Sequence, residues 1–69
     1  MVLHGRVEIF DDHRGDGFLR SDEGDRYYFH CVTIADGSRS VALNQRVSAR
    51  RGVGRLGRDE ARDVVKEID

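Results

Sequence analysis

The chain has 69 residues, 38% hydrophobic and 36% charged, with a net charge of −1 at pH 7. A chain this short buries only about 60% of the surface it exposes when unfolded, which leaves room for one small domain over residues 1–69. The single cysteine, Cys31, excludes an internal disulfide framework and fits a reducing cytosol, and no apolar run approaches the ~20 residues that cross a bilayer.

The opening Met1-Val-Leu-His-Gly-Arg6 lacks the apolar stretch of a signal peptide, so a cytoplasmic location is expected. Glycine alone punctuates the chain, since it contains no proline. Arg6–Phe10 alternates around Val7 and Ile9, and Gly17–Ser21 is a short run centred on Phe18 and Leu19. The turn cluster Asp22-Glu23-Gly24-Asp25 joins that run to Arg26–His30, which predicts a hairpin. Gln45–Val53 places Val47, Ala49 and Val53 on alternate positions. Short strands with closely spaced turns predict a small all-β barrel. Residues 60–68 conflict with that pattern: Ala61, Val64, Val65 and Ile68 have helical spacing, and Asp59 suits an N-cap.

Charge is divided between the two halves. Residues 1–36 carry four basic and eight acidic side chains, and residues 37–69 carry eight basic and five acidic. Eleven of the twelve basic residues are arginine, whose planar fork suits phosphates and base faces. A solvated surface accounts for them equally well.

Gly52-Val-Gly-Arg-Leu-Gly57 matches the dinucleotide pattern G-x-G-x-x-G, but the twelve residues after it cannot supply a helix, a strand and a distant acid. It predicts a glycine-rich turn and no cofactor. His30 and Cys31 are adjacent and would face opposite sides of a strand, so no metal site is expected. No serine has a nucleophile signature, and the chain is not expected to be an enzyme.

Tyr27-Tyr28-Phe29-His30 is the most informative segment. On a strand, Tyr27 and Phe29 share one face and Tyr28 and His30 the other. Either the outer rings are incidental, or they stack unpaired bases at about 1–3 kcal/mol each.

The order of these pieces resembles a bacterial cold-shock domain over about residues 3–68. The resemblance rests on Gly5-Arg-Val7-Glu-Ile-Phe10-Asp, Arg14-Gly-Asp-Gly-Phe-Leu19, Arg26-Tyr-Tyr-Phe-His30 and Val32-Thr-Ile34. It continues through Gly37-Ser-Arg-Ser-Val41, Asn44-Gln-Arg-Val47, and Gly54-Arg-Leu-Gly57 with Ala61 and Val64. It implies a five-stranded antiparallel OB-type barrel, with strands near residues 2–11, 16–21, 26–30, 45–53 and 60–68, which overrules the helical pattern. It also implies binding of single-stranded RNA or DNA, in gene regulation or as an RNA chaperone. The site so implied has Phe18, Tyr28 and His30 stacking bases, Phe10 extending the platform and Arg14 meeting phosphate.

Four ring positions of the family pattern are missing, at Ile9, Asp16, Cys31 and Ser38. Glu8, Asp11 and Asp12 add negative charge at the rim, which opposes phosphate. Weakened affinity is therefore expected. A rival reading makes the barrel a protein-interaction module that presents Ile9 and Tyr28. The chain is expected to be a monomer or a homodimer that exchanges strands through its glycine-rich segments.

Overall fold

Five strands form: β1 (Val2–Asp11), which runs through Gly5 rather than stopping at it, β2 (Asp16–Ser21), β3 (Arg26–His30), β4 (Arg46–Val53) and β5 (Asp59–Lys66). A 3-10 turn at Cys31–Thr33 follows β3. This computed structural model describes residues 2–54 and 57–68, so Arg55 and Leu56 of the glycine-rich turn lie outside the described residues. The strands close into a barrel in the order β1-β2-β3-β5-β4, an OB-type arrangement.

An odd number of strands cannot alternate direction all the way round a closed barrel. Here β1–β2, β2–β3, β1–β4 and β4–β5 are antiparallel, while β3 meets β5 in parallel at Tyr28 and Glu60. The barrel is thus antiparallel at all its seams but one.

Strand alternation sends Leu3, Val7, Leu19, Tyr27, Phe29, Val47 and Ala49 into the core, joined by Ile34, Ala61 and Val64. Two bulges interrupt the alternation. In β1 the pairing steps from Val7–Leu19 to Ile9–Phe18, so Glu8 is an extra residue. Val7 is buried, whereas Ile9 is 46% exposed and does not share its face.

The second bulge resolves the conflict over residues 60–68: residues 60–66 belong to strand β5, and 67 and 68 lie beyond its end. Arg62 pairs with Arg50 but Val65 pairs with Ser48, so β5 advances three residues while β4 advances two. Asp63 supplies the positive φ of 50°. Ala61 and Val64 therefore both point inward, and the apparent helical spacing comes from a bulged strand. Ile68, at the end of that pattern, is 99% exposed.

Gly17 on β2 pairs with Phe10 of β1 on one side and Phe29 of β3 on the other. The Phe10 and Phe29 rings stack with centroids 5.8 Å apart. A Cβ at Gly17 would run into the Ile9 carbonyl, which is backbone and cannot step aside. Gly17→Ala is expected to cost about 1–3 kcal/mol in urea unfolding. A loss within about 0.5 kcal/mol, the usual range for an unremarkable surface change, would contradict this close approach.

Candidate nucleic-acid interface

Burial of Tyr27 and Phe29 on one side of β3 leaves Tyr28 and His30 on the other, half-buried. Burial of Leu19 does the same for Phe18 on β2. Cross-strand pairing then sets Ile9, Phe18 and Tyr28 side by side over β1, β2 and β3. A second row, Asp11, Asp16 and His30, lies next to it. The Phe18 and Tyr28 rings meet edge to face, with centroids 5.7 Å apart.

Of the five residues singled out from sequence, this outer face collects Phe18, Tyr28 and His30. Arg14 lies at its edge, donating from Nη2 to Asp16 Oδ2 at 3.2 Å. Phe10 is on the inner side of β1, packed on Phe29, and its ring is not part of the outer row. His30 Nδ1 accepts from the Val32 backbone N–H at 3.3 Å, which caps the 3-10 turn. In the neutral ring that bond leaves the proton on Nε2, available as a donor.

The four positions where rings were missing have specific occupants. Ile9 flanks Phe18. Cys31 packs against the core beneath Gly15, whose φ is +72° and where an added Cβ would lie 2.9 Å from Sγ. Ser38 anchors its loop: its backbone N–H donates to Asp36 at 2.9 Å and its hydroxyl accepts from Lys66 Nζ at 2.9 Å. Ser38 and Lys66 together hold the Asp36 carboxyl down at about 2. Asp16 is tied to the platform itself, accepting from the Tyr28 hydroxyl at 2.8 Å.

The acidic rim is largely engaged. Glu8 Oε2 accepts from Arg20 Nε and Glu8 Oε1 from Arg26 Nη2, both at 2.6 Å, and these bonds hold the Glu8 carboxyl below its usual range. Asp11 Oδ1 accepts from the backbone N–H groups of His13 at 2.9 Å and Arg14 at 3.2 Å, fixing the β1–β2 turn. These carboxylates are structural, so the rim repels phosphate less than its composition suggests.

Two arginines lie on the rings, which the sequence did not signal. The Arg26 guanidinium is 5.1 Å from the Phe18 centroid, and that of Arg58 is 4.2 Å from the Tyr28 centroid. Arg58 is thirty residues from Tyr28 and comes close through the parallel β3–β5 seam. Among the described residues it has no carboxylate within ion-pair distance. A nearby cleft of about 300 Å³ is lined by Arg6, Glu8, Arg20 and Asp22 and lies beside the ring row. Among the described residues, no group of three His, Cys, Asp or Glu side chains is placed to hold a metal. No helix there is long and apolar enough to cross a membrane. No family model and no curated protein matches the chain.

Burial, followed by the hydrogen bond and charge of Asp16, pushes the Tyr28 phenol above the ordinary tyrosine range. A raised folded value means that the associated stability is present below the unfolded value of about 10 and is lost as pH rises through the folded one. The ultraviolet titration of the protein minus that of Tyr28→Phe should show a late-titrating phenol. Asp16→Asn should bring it down. An ordinary titration in both proteins would contradict the Asp16–Tyr28 bond.

Proposed function

We propose that this chain is a non-enzymatic, cytoplasmic protein of cold-shock type that binds single-stranded RNA or DNA. The observation carrying this reading is the outward pair Phe18–Tyr28, with His30 beside it and arginine guanidinium groups on its ring faces. Rings on a solvent-facing β-surface offer π-faces to any unpaired base, and guanidinium planes stack on bases in the same way. Duplex DNA or RNA offers no such faces, because its bases are already stacked.

Magnitudes argue for modest affinity. A base landing on Phe18 or Tyr28 replaces a cation–π contact worth about 0.5–1 kcal/mol with a stack worth about 1–3 kcal/mol. The net gain per ring is therefore reduced. Arg14, Arg20, Arg26, Arg46, Arg50, Arg51 and Lys66, seven of the twelve basic side chains, are each paired with a carboxylate among the described residues, which reduces the cations offered to phosphate. Each phosphate contact on a single strand contributes about −0.7 to the slope of log K against log salt.

The rival reading, a protein-interaction module, draws on the exposure of Ile9 beside Phe18. Titration of a labelled single-stranded pyrimidine oligonucleotide at several salt concentrations separates the two. Saturable binding is expected, with a shallow slope of about −0.7 to −1.4. Phe18→Ala and Tyr28→Ala should each weaken it by about 0.5–2 kcal/mol, the stack less the displaced cation–π contact, with unfolding midpoints measured alongside to separate lost stacking from lost packing. No binding by the parent, and none recovered by Ile9→Trp, would favour the protein-interaction module.

A further inference from the structure

Asp16 is a carboxylate set into a row of rings, and its two oxygens differ. Oδ2 accepts from the Tyr28 hydroxyl at 2.8 Å and from Arg14 Nη2 at 3.2 Å. Oδ1 has no hydrogen bond among the described residues and is not sealed from solvent. The side chain is only 12% exposed, so the two bonds to Oδ2 fix the direction in which Oδ1 is presented. Asp16 pairs across the sheet with His30 and is bonded to the tip of Tyr28. Asp16 therefore neighbours both rings on which a base would stack.

An ionised carboxylate only accepts hydrogen bonds. It attracts an amino group on a base edge and repels a carbonyl oxygen in the same place. Cytosine and uracil present that contrast at one ring position, an amino group in the first and a carbonyl in the second. The Arg14 guanidinium, held beside Asp16, adds a donor for the ring nitrogen next to the cytosine amino group. Uracil and thymine would meet Oδ1 with oxygen lone pairs on either side of their single N–H.

We propose that Asp16 is a specificity-determining residue that selects bases bearing an exocyclic amino group over uracil and thymine. The inference rests on the single-strand reading above and adds a ligand class to it. Its position gives Asp16 a use beyond a missing ring: the carboxylate trades stacking area for edge recognition.

The test compares hexamers of deoxycytidine and deoxyuridine, which share sugar, phosphate charge and ring size, so backbone and salt effects cancel in the ratio. The parent protein should bind the deoxycytidine hexamer about tenfold more tightly, the lower part of the range for one directed base contact. Asp16→Asn keeps the shape, removes the charge and adds a donor, and it should bring the ratio to about one. Tyr28→Phe keeps the ring but removes the hydroxyl that orients Oδ2. It should lower the ratio of deoxycytidine to deoxyuridine affinity toward that of Asp16→Asn. It also serves as the second variant should Asp16→Asn fail to fold. Equal binding of both hexamers by the parent, or a ratio unchanged in Asp16→Asn, overturns the inference and leaves the single-strand reading intact. Binding of neither hexamer overturns both.

Discussion

The burial of Leu19, Tyr27 and Phe29 determines the direction of every other side chain in β2 and β3. A strand has period two, so a slip of one residue would send Phe18 and Tyr28 into the core and Leu19 and Phe29 into water. The slip would also carry Asp16, Arg20 and Arg26, which share the outer face, into the core, and the cost of burying those charges makes it prohibitive. The outer rings are therefore presented at no choice of their own. Gly17 completes the arrangement by letting the neighbouring strand pass close enough for Phe10 to reach Phe29 on the inside.

Much of this was legible in the chain because period-two alternation and glycine punctuation are local signals. Asp16–Ser21 and Arg26–His30 match their expected bounds, and the inward Tyr27 and Phe29 follow from the alternation alone. The bulges were not legible. One extra residue at Glu8 turns Ile9 outward although it is spaced like a partner of Val7. Another near Asp63 gives Ala61 and Val64 the spacing of a helix while both stay in a strand. A bulge needs a partner strand to exist, and no window on a single strand contains that partner. The approach of Arg58 to Tyr28 was hidden for the same reason, since it depends on closing the barrel through its parallel seam.

Charge in this small barrel is mostly spent internally. Glu8 bridges Arg20 and Arg26, Asp22 takes Arg46, Asp59 takes Arg51, and Asp36 takes Lys66. Exposed pairs of this kind contribute little stability each, about 0–1 kcal/mol, but they remove free cations from the surface. The ring row is left as the feature not consumed by the fold. Even there Arg26 and Arg58 occupy ring faces, so a base must exchange with a guanidinium group in order to stack. On the single-strand reading proposed above, such a surface favours reversible stacking over tight electrostatic capture, with Asp16 as the proposed discriminating group.

The most direct test of the account is a map of backbone amide chemical shifts during titration with a short single-stranded oligonucleotide. The account predicts saturable shifts concentrated in Asp16–Ser21 and Arg26–His30 and at Arg58, with the middle of Arg46–Val53 unmoved. A duplex of the same sequence should leave the map unchanged. Shifts centred on β4, equal shifts with the duplex, or no shifts at all would contradict it.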